Sequence, residues 1–488
     1  MSQQSEVTLQ KGSGPVVTTL RSKWWKVVLV FGLPILIWFV DAPPGLTPEA
    51  WHIFAIYAGA ILGVIFKPFP EPVVLLAACS IAGIVFSDYK IALSGFSNRT
   101  AWLVFSAFLI GQAFVDTNLG KRISYLLLKR FGKSSLAIGY CMALSDLIVS
   151  PATPSNTARS GGIVYPIFKS LAVALGSVPG PTAKKIGAYL TALEYQNSLT
   201  SHAMFITAGA SNAVVLAFAV SILNIEVSWA LWFLAAAVPC LLVFFLMPWL
   251  VYKVYPPELK AIPESKAIAT QGLQELGPMT KEEKYLAFFF LMAILGWATT
   301  SITKIDTTIV AISFVSLCLL FGAVKWESLA GNKGAWTTFI WYAGVLGIAA
   351  TLSDAKFFEW LADVMGKVLP LAGLNPLLVL TVLTILSILP RYLFASTAAF
   401  AASFYPVLFA MALAAKIDPM ATTLLLSLSL SYGSTLAPYT NAVGPILAGT
   451  GYVADSGVWW KLGGLLAIAG TIALLVIGLP YWKLLGLW

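Results

Sequence analysis

The feature that most constrains this chain is a succession of apolar runs of membrane-crossing length, four of them interrupted midway by proline, glycine and small polar residues. A bilayer core needs about 20 apolar residues for each helical crossing. Unwound backbone at that depth persists only where it is buried in protein or lines a wet cavity. The chain must therefore fold as a helical bundle that gathers its breaks inside. Composition agrees: 59% of the 488 residues are hydrophobic and 10% charged, and the mean hydropathy is +0.85. A soluble fold with so few polar groups could not cover its own surface. The predicted class is an all-α polytopic membrane protein.

Composition also removes function classes. Cys79, Cys141, Cys240 and Cys318 each lie alone in an apolar run, so they read as buried thiols, not as a metal or disulfide set. His52 and His202 are too few for a zinc or haem site of the usual kind. The net charge of +9 comes from Lys and Arg concentrated in short hydrophilic loops, where they set orientation in the membrane and do not indicate nucleic acid binding. Residues 1–23 read as a cytoplasmic tail. The apolar run from Trp24 is followed by no small-residue cleavage site, so it reads as an uncleaved first helix.

Apolar windows predict helices near 24–40, 51–66, 72–86, 101–116, 229–252, 285–300, 305–323, 335–352 and 458–480. The broken segments 134–172 and 375–413 read as re-entrant hairpins. The segments 186–220 and 419–452 read as crossing helices interrupted at 207–212 and 436–444. About eleven crossings plus two hairpins are expected. The stretch 253–284 carries ten charges with Pro256, Pro257, Pro263 and Pro278. It reads as a cytoplasmic linker between a first repeat over 24–252, which includes leading scaffold helices, and a second over 285–488.

The duplication is visible in residues. Ser155-Asn156-Thr157-Ala158 precedes Tyr165-Pro166, and Ala395-Ser396-Thr397-Ala398 precedes Tyr405-Pro406. Ser211-Asn212-Ala213-Val214 matches Thr440-Asn441-Ala442-Val443, and Ala101-Trp102 matches Ala335-Trp336. Three matches in one order at offsets of 240, 229 and 234 residues point to an internal repeat. With a cytoplasmic amino terminus, the cytoplasmic stretches carry 20 of the 30 Lys and Arg residues and the outer stretches 7, in keeping with positive-inside orientation. The same threading runs Trp102 inward and Trp336 outward. The halves are then inverted repeats with hairpins entering from opposite faces, an arrangement typical of secondary transporters.

The breaks supply the candidate chemistry. Helix ends at a hairpin tip present free N–H and C=O groups, and Ser, Asn and Thr add neutral donors and acceptors, a combination suited to a small anion that must also leave. Asn156, Thr157, Arg159, Ser211, Asn212, Ser396, Thr397, Pro438, Thr440 and Asn441 are the candidate substrate-binding residues. For Asn212 and Asn441 helix capping is the alternative, and for the small residues close helix packing. Arg159 could pair with Asp146, but its planar fork also suits a carboxylate. Arg391 could do the same from the second tip, or extend outward. His202 reads either as a hydrogen-bonded helix residue or as a proton-coupling group. Glu194 is a lone carboxylate within an apolar segment.

The strings Ser150-Pro-Ala-Thr-Pro-Ser-Asn-Thr-Ala-Arg159, Phe205-Ile-Thr-Ala-Gly-Ala-Ser-Asn212, Arg391-Tyr-Leu-Phe-Ala-Ser396 and Leu436-Ala-Pro-Tyr-Thr-Asn441 resemble the divalent anion:sodium symporter family. The resemblance is greatest to its citrate/succinate, tartrate/succinate and 2-oxoglutarate/malate antiporter branch. It implies a homodimer in which a fixed scaffold flanks a moving domain that carries a di- or tricarboxylate by an elevator motion. It also implies that Asn156 and Thr157 contact substrate, and that Ser155, Asn156 and the backbone around Gly209 correspond to a first sodium site. Two departures stand out. The second tip has no asparagine before Thr397, and Pro151 replaces a serine of the sodium-coupled members. They favour exchange over sodium symport, with Arg159 supplying the charge that sodium would bring.

No clustered nucleophile, base or metal ligand occupies the breaks, so an enzyme is not expected and no cofactor beyond a residual sodium ion is implied. Duplicated re-entrant hairpins without fourfold filter-like loops argue against a channel, and a passive scaffold gives no reason to break four helices. The expectation is a carboxylate exchanger of a bacterial inner membrane, with its amino terminus in the cytoplasm.

Overall fold

The computed structural model describes residues 16–369 and 373–488; residues 1–15 of the expected tail lie outside the described residues. The longer helices, numbered in chain order, begin with α1 (Val16–Phe39), α2 (Pro48–Phe66), α3 (Glu71–Val85), α4 (Arg99–Thr117), α5 (Leu119–Phe131), α6 (Ser135–Val149) and α7 (Tyr165–Ala174). They continue with α8 (Gly187–Met204), α9 (Ala210–Leu223), α10 (Trp229–Val254), α11 (Ser265–Leu276), α12 (Lys281–Ala298) and α13 (Thr307–Leu320). The last are α14 (Lys333–Asp354), α15 (Phe357–Val368), α16 (Pro376–Ile388), α17 (Thr397–Ala414), α18 (Pro419–Gly433) and α19 (Ser456–Ile472). Among the described residues there is no strand, only an isolated bridge between Ser134 and Ala261. Helix α1 starts at Val16, earlier than the expected Trp24, because no proline or glycine stands between Pro15 and Gly32 to stop it.

Eight helices are long and apolar enough to cross a membrane, and four shorter apolar helices accompany them. Burial is inverted relative to a soluble protein. Leu36, Ile84, Leu295 and Ile302 are exposed on the outside. By contrast every residue of α8 is buried, although it carries Glu194, Gln196, Asn197, Ser198, Thr200, Ser201 and His202. Polar groups can be kept in such an environment only by pairing inside the protein. The polar helix is therefore the centre of the fold.

Both hairpins are built by proline and serine. In the first, Pro151 starts a 3-10 turn over Ser150–Ala152, and the tip ends where Ser155 Oγ accepts the Ala158 N–H at 3.3 Å. In the second, Pro390 lies in a 3-10 turn over Leu389–Leu393, and Ser396 Oγ accepts the Ala399 N–H at 3.2 Å. These caps correct the internal alignment by one position: Ser396 stands where Ser155 does, and Thr397 where Asn156 does. Ten positions separate Ser155 from Tyr165 and nine separate Ser396 from Tyr405. The first arm takes up its extra residue as a π-helical stretch over Thr157–Val164, whereas the second arm is α-helical throughout. A single π stretch of this kind changes the register of every side chain beyond it.

The linker 253–284 is more structured than its prolines and charges indicate. It contains α11, which packs on α5, with Gly272 lying directly under the Tyr125 ring so that a Cβ there would overlap it. The Ile262 N–H donates to Lys133 O at 3.1 Å and the Ser135 N–H to Lys260 O at 3.1 Å, so the linker grips the base of the first hairpin. Arg122 of α5 pairs with the buried Glu283 at 2.8 Å. Replacing Gly272 with Val should undock α11. Limited proteolysis of the purified protein should then cut within 253–284 faster than in the wild type while the rest of the chain stays resistant; equal cleavage rates would show that the α5–α11 contact does not hold the linker.

Candidate functional site

The first tip is organised by Arg159, fully buried in the π stretch. Its Nε donates to Asp146 Oδ1 of α6 at 2.9 Å. Nη1 donates to the Thr153 carbonyl of the tip at 2.9 Å and to the Ala208 carbonyl of the α8–α9 break at 3.3 Å. Nη2 reaches Asn156 Oδ1 at 3.1 Å, Ser198 O at 2.9 Å and Ser201 Oγ at 3.2 Å. A guanidinium has five N–H groups, and all are engaged. The sequence reading of this fork as one offered to a carboxylate is thus replaced: the ion pair with Asp146 forms, and Arg159 ties the tip to the break. The second oxygen of Asp146 accepts from Ser201 Oγ, which closes the network.

His202 lies over the break. Its Nδ1 is 3.0 Å from Asn156 Oδ1, and its Nε2 is 3.1 Å from Ser211 Oγ and 3.0 Å from Asn212 Oδ1. The ring covers Gly209 so closely that a Cβ there would overlap it. Of the three groups expected at a sodium ion, Ser155 Oγ accepts the Ala158 amide, Asn156 Oδ1 accepts from Arg159, and the imidazole of His202 lies against Gly209; a sodium ion at Asn156 would have to displace the guanidinium from that oxygen.

The two asparagines act as caps. Asn212 Nδ2 donates to His202 O at 2.9 Å and Phe205 O at 3.1 Å, satisfying carbonyls freed at the end of α8. Asn441 Nδ2 donates to Ser434 O at 2.9 Å and Tyr195 Oη at 2.9 Å, and its Oδ1 accepts the amides of Val443 and Gly444, both at 3.1 Å. For both, the capping alternative holds, and neither has a free amide for substrate. Thr440 is also engaged, with its hydroxyl donating to Ser434 O at 2.8 Å. Pro438 is half-buried beside the exposed Tyr439.

The second tip is held by Arg391, also fully buried. Its Nε donates to Ser434 Oγ at 3.1 Å, Nη1 to Phe394 O at 2.6 Å, and Nη2 to Thr397 Oγ1 at 2.8 Å and to the Thr440 carbonyl. The pattern repeats that of Arg159: a tip carbonyl, a break carbonyl and the residue after the capping serine. The difference is charge. Arg159 has Asp146; among the described residues no carboxylate pairs with Arg391, and its guanidinium lies 5.6 Å above the Phe400 ring. Around each buried guanidinium the tip itself stays accessible. Ser155, Asn156, Thr157, Ser396 and Thr397 are half-buried, and Ala395 is exposed.

Helix α8 links the two tips. Ser198, Ser201 and His202 face the first, while Tyr195 Oη donates toward Ser434 O at 3.2 Å and Ala437 O at 2.5 Å in the second break. The sequence reading missed Tyr195, Ser198 and Ser201. The signal was the polar run Glu194-Tyr-Gln-Asn-Ser-Leu-Thr-Ser-His202 inside an apolar segment. Asp146→Asn should leave the Arg159 charge buried without its counter-ion, at a cost of about 3–5 kcal/mol. Heating with a thiol-reactive dye, which reports exposure of the four buried cysteines, should give a lower midpoint for Asp146→Asn than for the Asp146→Asn, Arg159→Met pair; the reverse order would show that the ion pair is not what holds the tip.

Known proteins place this geometry in a family. Residues 21–488 match the sodium:sulfate symporter transmembrane region. The chain is 42% identical over 475 residues to inner membrane protein YbhI of Escherichia coli K12, covering 96% of this chain and 99% of that one. It is 36% identical over 465 residues to the putative malate transporter YflS of Bacillus subtilis 168, covering 95% and 96%. It is 32% identical over 481 residues to the L-tartrate/succinate antiporter of Escherichia coli K12, covering 94% and 98%. Of solved structures, MtrF of Neisseria gonorrhoeae aligns over 94% of both chains with a TM-score of 0.57 at 13% identity, a likeness of fold alone. With its helices long and apolar enough for repeated crossings and its breaks gathered inside, this chain belongs to the sodium:sulfate, or divalent anion:sodium, symporter family and is a multi-pass membrane transporter, not an enzyme.

Proposed function

We propose that the protein exchanges di- or tricarboxylates across a bacterial inner membrane without sodium. The observation that carries this reading is the pair of buried guanidinia. Arg159 and Arg391 each donate to a tip carbonyl and a break carbonyl, so a fixed positive group stands at both breaks. A cation that is part of the chain cannot be left behind, so no ion gradient is spent on it. Arg391 is uncompensated, and such a charge in a low-dielectric interior is stabilised by an anion beside it. The accessible hydroxyls and first amides of the returning arms, at Asn156, Thr157, Ser396 and Thr397, supply the neutral contacts for that anion.

C4 dicarboxylates are the first substrates to try, since relatives are named for malate and for tartrate and succinate. An elevator motion accords with the way α8 binds both breaks into one packed body, which must travel as a unit. We also infer a homodimer, and a cytoplasmic amino terminus from the bias of basic residues. Empty, the moving body carries the buried Arg391 charge with no anion beside it and is held back, which makes exchange obligatory.

Proteoliposomes test this. Labelled malate or succinate should enter vesicles only when unlabelled dicarboxylate is inside, and equally in sodium and potassium. Uptake into empty vesicles that requires a sodium gradient would establish symport instead. Arg391→Gln should lower the apparent affinity for the dicarboxylate about tenfold to a hundredfold, the effect of losing one charge-assisted hydrogen bond worth ~1.5–3 kcal/mol; unchanged affinity would remove Arg391 from the anion site.

A further inference from the structure

The interior holds a second polar cluster that the tips do not use. Both carboxylate oxygens of Glu194 are closed off from the surface and meet no hydrogen-bond donor, and the side-chain amides of Gln196 and Asn197 are unpartnered too. All three side chains are fully buried. On a helix, Glu194, Asn197, Ser198 and Ser201 lie along one face. That face meets the first hairpin, because Ser198 and Ser201 bond to Arg159. Glu194 itself lies beside Ser160, Asp146 and Arg159. Only the Ser160 hydroxyl has a proton within reach, and that single proton is shared with Asp146 Oδ1 at 3.4 Å; the N–H groups of Arg159 are already engaged by Asp146 and five other acceptors.

Charge completes the argument. Asp146 and Glu194 together carry two potential negative charges against one guanidinium. An ionised, unpaired carboxylate in a closed interior costs several kcal/mol. One monovalent cation removes the imbalance. A metal ion would need several free oxygen ligands around it, whereas a proton needs only the carboxylate. We propose that Glu194 is a proton-binding site of the transporter: its carboxyl is un-ionised in this state, and its proton occupancy sets the net charge of the interior that receives the anion. With Glu194 neutral, Asp146 and Arg159 cancel and Arg391 remains as a single positive charge. Loss of the proton would cancel that charge and weaken the attraction for an anion.

The other ionisable groups on elements packed against α8 are accounted for. Tyr165 of α7 bonds Thr191 at 2.6 Å. Tyr252 of α10 lies edge-on to Tyr189, and Cys240 of α10 adjoins Tyr432 of α18. Tyr140 of α6 bonds Phe245 O at 2.9 Å, and Cys141 of α6 faces Leu127 O at 3.4 Å. Lys169, Lys184, Lys253 and Lys461 are exposed, and Lys185 is partly so. His202, farther along α8, is turned to Asn156, Ser211 and Asn212. Asp146 and Arg159 are thus the charged groups that face Glu194.

The test is thermal unfolding of the full-length protein in detergent from about pH 5 to about pH 8, wild type against Glu194→Gln, which mimics the un-ionised acid. Unfolding frees Glu194 to ionise above about pH 4.3, so each further pH unit should favour the unfolded wild type up to tenfold relative to the variant. The expected result is a wild-type midpoint that falls relative to Glu194→Gln as pH rises. Parallel curves, or a wild type that gains on the variant with rising pH, would overturn the proposal. So would a stabilisation of wild type by sodium over choline at fixed pH that Glu194→Gln lacks, since the occupant would then be the metal ion. The infrared spectrum of the wild type gives a readout that does not depend on the variant folding: an un-ionised carboxylic acid band persisting at about pH 7 is expected, and its absence overturns the assignment. In proteoliposomes, exchange by wild type should slow with rising pH while Glu194→Gln stays level, with identical pH profiles counting against the proposal. That last arm rests on the carboxylate-exchange reading; if no carboxylate is exchanged that reading fails, and the unfolding and infrared measurements still decide the proton site.

Discussion

The structure depends on one requirement: a guanidinium buried at the break of a membrane helix must have its N–H groups met by the protein. Arg159 meets it by joining α6, the hairpin tip, the α8–α9 break and the polar face of α8 at a single point. Arg391 repeats the geometry at the second tip with hydroxyls and carbonyls, and without an acid. Carbonyls that the broken helices leave unpaired become the acceptors that hold these charges. The breaks and the arginines therefore stabilise each other, and neither is tolerable at that depth alone.

From this follows the inside-out distribution of polarity. Helix α8 is polar and wholly buried, while the helices around it present leucine, isoleucine and phenylalanine outward. Tyr195 connects the same helix to the second break, so the two tips share a rigid support. The small difference between the tips matters as well. One extra residue in the first arm, absorbed as π-helix, turns Arg159 toward the partners it has, whereas the second arm reaches its own arginine from before the tip.

Much of this was legible in the chain. Hydropathy marked the helical segments, their breaks and the buried thiols, and the motif strings marked the family. Other readings went astray for identifiable reasons. Arg159 looked free because its partners come from four separate segments, of which only Asp146 was noticed. Asn212 and Asn441 looked like ligands because an asparagine at a break is equally suited to a ligand and to a cap, and only the positions of the freed carbonyls separate the two. The alignment of the second tip was displaced by one because a π turn leaves no mark in composition. Helix α11 was hidden among charges that, in a linker, also describe a helix lying on another helix.

Sequence alone determined that the chain is a membrane-embedded helical protein with broken helices, because the cost of exposing backbone and charge to lipid is set by composition and length. It also determined the family, through short strings of tip residues. Tertiary structure decided which of the polar groups are spent and which remain available. Hydrogen bonds saturate, and whether Asn156 Oδ1 faces a sodium ion or the guanidinium of Arg159 depends on which segments are brought within about 3 Å of it, a matter no local pattern records.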